Sequence, residues 1–165
     1  MAEEVFPARP PRSRPWQGLL AVLVWSCLAT GPAWAQGLPV GVVKSASGAS
    51  AVGPDGKERP LKPGDAIQLG DKVRTTAGGS AAVTLRDDTR IAMAPNTAIR
   101  VKGFDYDANK QQGGMTLSVL KGASAFVTGV LSKVSPDAVK VETPTTTAGI
   151  RGTEFVVEVE GGTDD

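Results

Sequence analysis

Gly78-Gly79-Ser80-Ala81-Ala82-Val83-Thr84-Leu85-Arg86-Asp87-Asp88-Thr89-Arg90-Ile91-Ala92-Met93-Ala94-Pro95-Asn96 is the stretch on which the fold class turns. After the two glycines, Ala81, Val83 and Leu85 alternate with Ala82, Thr84 and Arg86, so one face of an extended chain buries while the other meets water or small-residue packing. Asp87-Asp88 then turns the chain into Thr89–Ala94, where Ile91 and Met93 share a face, and Pro95-Asn96 turns it again. Strand, turn, strand, turn is the reading.

The same period extends outward in both directions. Upstream, Val40 to Val43 opens the pattern, and Asp55-Gly56, Pro63-Gly64-Asp65 and Gly70-Asp71 mark tight turns. Downstream, Ile99 and Val101 oppose Arg100 and Lys102, and Leu117, Val119, Phe126, Val139, Val141, Phe155, Val157 and Val159 carry the pattern onward. Residues 103–114, ending in Gln111-Gln112-Gly113-Gly114, have the polarity of a mobile loop. Many short strands, no long amphipathic helix and 5% aromatic residues predict an all-β chain, a twisted roll or β-solenoid-like sheet with a thin core. Ala81, Ala82, Ala98 and Ala125 on candidate strands suit closely stacked layers.

Composition narrows function by subtraction. The 165 residues carry 18 Lys and Arg against 17 Asp and Glu, a formal net charge of +1, so no global field points to nucleic acid. His is absent and Cys27 is the sole cysteine, which removes imidazole and thiolate chemistry together. An enzyme would have to work with paired carboxylates held in a cleft, and neither cleft-lining aromatics nor a cofactor motif accompanies them. The expectation is no catalytic residue, no cofactor and no metal.

Residues 1–35 read differently from the rest. Arg9, Arg12 and Arg14 precede an apolar run from Gly18 to Ala29, which breaks at Gly31-Pro32 before Ala33-Trp34-Ala35. This is the order of a cleaved signal peptide, with Gln36 as the mature N-terminus, and the run is shorter than the roughly 20 residues a spanning helix needs. A lipoprotein role for Cys27 is disfavoured by Trp25 two residues before it. The expected organisation is a signal peptide at 1–35, a β domain at 36–160 and a flexible tail at 161–165, exported to the periplasm or beyond, with no membrane span after cleavage.

Four stretches in order carry a resemblance. They are Leu61-Lys62-Pro63-Gly64-Asp65, Gly70-Asp71-Lys72-Val73-Arg74-Thr75, Asp87-Asp88-Thr89-Arg90-Ile91-Ala92-Met93-Ala94-Pro95-Asn96-Thr97, and Thr143-Pro144-Thr145-Thr146-Thr147-Ala148-Gly149-Ile150-Arg151-Gly152-Thr153-Glu154-Phe155. Together, over roughly residues 40–160, they resemble the FecR domain family. That resemblance implies a β-rich periplasmic domain, found in regulators that relay an outer-membrane transporter's state to a sigma factor and also in other exported proteins. The regulators place a cytoplasmic segment and a membrane span before this domain, whereas here a signal peptide precedes it and little chain follows Phe155. Direct sigma-factor control is therefore not expected. Where the family has Asp-Gly-Thr this chain has Asp87-Asp88-Thr89, which asks Asp88 for a conformation glycine enters more cheaply.

The candidate interaction or structural turn is Gly149, Ile150, Arg151, Gly152, Thr153 and Glu154. Arg151 could present its guanidinium to a partner's carboxylate or a glycan acid. Equally it could pin Glu154 or the Asp87-Asp88 turn, and the structural role is preferred because turns of tightly specified chemistry are usually folding features. Gly149 and Gly152 are both candidates for positive φ. Asp65, Asp71, Asp87 and Asp88 lack the spacing of a Ca²⁺ loop and read as acids capping their own turns, and Thr145-Thr146-Thr147 as a connector with hydroxyls in water. The expected function is an exported, non-enzymatic binding module that meets an envelope protein or cell-wall glycan through exposed strand edges or the Gly-Ile-Arg-Gly turn. The alternative is a signalling component acting in trans on an outer-membrane receptor.

Overall fold

A chain of alternating strands has to bury one face of its sheet, and this one does so by wrapping the sheet around its own apolar residues. In the computed structural model, which describes residues 38–150 and 152–160, the strands are β1 (Gly41–Val52), β2 (Glu58–Pro60), β3 (Ala66–Ile67), β4 (Lys72–Leu85), β5 (Arg90–Met93), β6 (Ala98–Asp107), β7 (Gln112–Val127), β8 (Val139–Glu142), β9 (Thr147–Gly149) and β10 (Glu154–Val159). One short helix, α1 (Val130–Val134), and a 3₁₀ turn at Pro136–Ala138 separate β7 from β8. The expectations for residues 1–35, Gln36, Arg151 and the tail at 161–165 lie outside the described residues. Among the described residues all ten strands join one sheet, in which β7 with β8 is the parallel pair and the other pairs are antiparallel.

Closure comes from two long strands. β4 bonds β5 through Ala81–Thr84 and β6 through Lys72–Arg74. β7 bonds the same two partners, β6 from Gln112 to Lys121 and β5 from Ser124 to Val127. The ring β4-β5-β7-β6 is thereby complete, a barrel-like closure that leaves β5 and β6 paired on both sides. Of the architectures left open by the sequence, this antiparallel ring is the twisted roll.

The core follows the alternation. Ile91 and Met93 are buried while Arg90 and Ala92 are exposed, and Val83 and Ala81 bury opposite them. Register places Val43, Val83, Ile91, Phe126 and Phe155 in one row across β1, β4, β5, β7 and β10. Phe126 is fully buried, and its ring stacks on Phe155 at 4.8 Å between centroids and 11° between planes. Offset stacking of this kind adds to the area term.

Two expectations are corrected. Gly78-Gly79 do not precede the strand but lie inside it, since β4 runs unbroken from Lys72 to Leu85. The reason is a β-bulge opposite them: β1 shifts register between Ser47 and Ala49, and a side chain on Gly79 would collide with the Gly48 and Ser47 carbonyl oxygens. Residues 103–114 are not a loop. β6 and β7 pair as far as Asp107 and Gln112, with Phe104 and Tyr106 packed against the core, and Asp107 Oδ1 accepts from the Asn109 and Lys110 N–H groups to close the hairpin.

Phe126→Ala is expected to destabilise the protein by about 3–5 kcal/mol, the cost of emptying a fully buried aromatic site. Phe155→Ala, at a half-buried position, should cost clearly less. Thermal midpoints of both variants check the order, and equal losses would contradict the row's polarity from core to edge.

Candidate functional site at the converging turns

The motif chemistry of the sequence lies in turns, and Asp65, Asp71 and Asp87 each cap their own turn. Asp65 Oδ2 accepts from the Lys62 N–H at 2.8 Å, and Asp87 accepts from Thr89 through both the N–H and the hydroxyl. Asp71, 1% exposed, accepts from the Gln68 N–H at 2.8 Å and is gripped from outside by Arg59, whose Nη2 lies 2.6 Å from Oδ2. Arg59 also donates to Asp71 Oδ1 and to the Ala66 carbonyl. That hydrogen bond to Asp71 holds the guanidinium above its already high ordinary value. These carboxylates are spent on turns, and no cluster of three or more metal-ligating side chains occurs among the described residues.

Two of the motif turns meet at one end of the roll. Asp88 takes φ 67°, the left-handed conformation expected where a glycine would be cheaper, and this lets Asp87 and Thr89 point inward, each 1% exposed. The Thr89 hydroxyl accepts from the Gly129 N–H at 3.0 Å, and the Asp87 carbonyl accepts from the Val130 N–H at 2.8 Å. A side chain on Gly129 would overlap the Asp87 carbonyl, so the end of β7 can approach this turn only as glycine. The neighbouring Thr128 then reaches the last motif: its N–H donates to the Thr153 carbonyl and its hydroxyl to the Gly152 carbonyl, both at 2.8 Å. Thr128 is thus a splice between the Asp87-Asp88-Thr89 turn and the Gly152-Thr153 end of the last motif, two segments distant in sequence.

The candidate turn is anchored at both ends and exposed between. Ile150 donates to the Val139 carbonyl at 3.1 Å and packs on the core, while Gly149, Gly152, Thr153 and Glu154 are exposed. Arg151 lies outside the described residues. Gly152 has φ 155°, but Gly149 is not in the positive-φ region: it ends β9 opposite Lys140, in open space. The expectation for Gly149 is therefore corrected, because an extended strand end asks nothing special of its φ. Thr145, Thr146 and Thr147 face solvent, and Thr143 turns the run by accepting the Thr146 N–H at 3.1 Å.

Sequence reasoning did not find Arg59, Thr128 or Gly129. Arg59 lacked any signal, since its partner is across a turn. Thr128-Gly129, closing a strand pattern, carried a weak turn signal whose partners are distant in sequence. Chemically, this end of the roll holds hydroxyls and carboxylates that are buried and hydrogen-bonded to one another and to backbone, at Asp87, Thr89 and Thr128.

A family model described as FecR protein matches residues 71–164, more than half of the 165-residue chain. No curated protein and no solved structure matches.

Gly129→Ala is expected to destabilise by about 2–3 kcal/mol through overpacking against the Asp87 carbonyl. Gly152→Val should also lower the thermal midpoint, whereas Gly149→Val should leave it unchanged within about 0.5 kcal/mol. Equal losses at the two glycines would contradict the assigned backbone conformations.

Proposed function

The chain belongs to the FecR family, whose members are signalling-related regulatory proteins, and from that premise we propose that it is an exported, non-enzymatic module that binds an envelope protein along its last strand. The observation carrying this reading is the state of β10. Among the described residues it pairs with β7 alone, so its other edge keeps its backbone donors and acceptors for a partner strand. Val156 at its centre is 69% exposed, between Glu154 and Glu158. An open groove of about 500 Å³ separates this strand from the Thr143–Thr146 turn, giving an added strand room to lie.

Export rests on the basic, apolar and Ala33-Trp34-Ala35 segments in series. The buried hydroxyls and turn-bound carboxylates described above support a non-enzymatic role. Signalling in trans on an outer-membrane receptor is a form of the same reading that the family favours; a cell-wall glycan as ligand is the competing one.

Intact mass of the protein recovered from the cell envelope should correspond to a chain beginning at Gln36, and a chain retaining Met1 would overturn export. In affinity capture from solubilised envelope with the tagged full chain, a discrete membrane protein is expected. Val156→Lys, a solvent-facing change with little effect on folding, should abolish its capture, because a charge on a strand edge discourages strand addition. Capture undiminished by this variant, or retention on purified cell wall alone, would contradict the β10 reading.

A further inference from the structure

The backbone of β10 fixes which of its residues a further strand would meet. The Thr128 N–H donates to the Thr153 carbonyl, and β10 continues from there without a register shift, Glu154 opposite Val127 to Val159 opposite Gly122. Bonded positions alternate along an antiparallel pair, so Phe155, Val157 and Val159 exchange their backbone hydrogen bonds with β7. Glu154, Val156 and Glu158 direct their N–H and C=O groups to the other side, where no strand lies among the described residues.

The side chains divide in the same way. Glu154, Val156 and Glu158 are exposed on the outer face, while Phe155, Val157 and Val159 pack on the core yet stay half-buried. Core-side apolar surface is thus left uncovered where a further strand would lie. On β7 the residues opposite Glu154, Val156 and Glu158 are Val127, Ala125 and Ala123, so no base answers the two carboxylates from the neighbouring strand. Arg90, paired with Val127 from its other side, stands two strands from Glu154, about 9–10 Å by strand spacing. The groove beside β10 adds Glu160 to Glu158, and neither Lys nor Arg lines it among the described residues.

This pattern discriminates between occupants. A second copy added antiparallel about Val156 would set Glu154 against Glu158 twice, and one added about Val157 would set Glu154 against Glu160 twice. Like charges directly opposite each other oppose pairing, so the edge rejects its own copy. A strand with cations at those positions gains two cross-strand ion pairs, and apolar residues between them cover Phe155 and Val157.

We propose that the partner segment is a cationic amphipathic strand, added antiparallel to β10 with a Lys or Arg opposite each of Glu154 and Glu158 and apolar residues on the core side, an inference that rests on the β10 reading above. Its pattern is basic, apolar, any residue, apolar, basic, the central residue facing Val156.

The test is fluorescence anisotropy of the labelled peptide Thr-Lys-Val-Thr-Val-Lys-Thr with the full chain, beside the same peptide carrying Gln or Glu in place of both lysines. The lysine peptide should bind about three- to tenfold tighter than the glutamine one, and the glutamate peptide more weakly than either. Glu154→Lys combined with Glu158→Lys should reverse the order of the lysine and glutamate peptides. N-methylation of the central threonine removes the N–H that meets Val156 and should weaken binding about fivefold or more. Binding indifferent to that methyl group is charge attraction without strand addition and overturns the proposal. Equal binding of the lysine and glutamine peptides, both lost in Val156→Lys, overturns the charge selection and leaves the β10 reading standing. If none of the three peptides binds, the proposal falls, and the Val156-dependent capture from envelope still decides the β10 reading separately. Should the double variant misfold, the order of the peptides on the unaltered chain decides.

Discussion

The apolar row from Val43 through Val83, Ile91 and Phe126 to Phe155 is the constraint on which the other features depend. Strand side chains alternate strictly, so a slip of one residue between any two of these strands would turn the row out to solvent. Because the row crosses both long strands, it also sets where β4 hands over from β6 to β5 and where β7 does the same. The ring closes only in the register that buries Ile91 between Val83 and Phe126. Stacking of Phe155 on Phe126 then docks β10, an edge strand with no second neighbour among the described residues.

Once that register is set, the turns are brought to fixed places and their polar groups become tertiary fasteners. The Asp87-Asp88-Thr89 turn is locally self-sufficient, with the aspartate capping the threonine, yet its remaining acceptors receive the end of β7. A similar device serves the Pro95-Asn96 turn: the Thr75 hydroxyl accepts from the Thr97 N–H and donates to the Ala94 carbonyl, and the Thr97 hydroxyl donates to Ala123. Small hydroxyl residues do this work because they bridge two backbones at close approach without adding volume. The motif turns are thus explained by folding, and the surface between Ile150 and Glu154 is held up by them.

Polar residues on the outer face tell a different story from those in the turns. Turn acids are matched at short range, whereas Lys72 and Arg100 stand opposite each other across β4 and β6 by register alone. The buried threonines and aspartates of the turns are hydrogen-bonded, whereas Arg100 Nε and Ser124 Oγ are buried without a partner among the described residues.

What the sequence determined is what local physics controls. Alternation at 80–86 and 89–94 specified strands and the face each would bury, Pro, Gly and Asp marked the turns at 55–56, 63–65, 70–71 and 87–88, and Asp88 was already marked for the left-handed conformation it adopts. The four motif stretches were sufficient to identify the family. The turn at 149–154 was legible as a feature, but not its anchoring at Val139 and Thr128. Tertiary structure alone decided the closure of the ring, the passage of β4 through Gly78-Gly79 and the hairpin at 105–114, because each depends on a strand distant in sequence supplying the partner. The pairing of Arg59 with Asp71 across a turn, the meeting of the Asp87 and Gly152 turns at Thr128, and the confrontation of Lys72 with Arg100 have the same origin. Periodicity says which face a residue takes, but only register, set by burial across many strands at once, says what it faces.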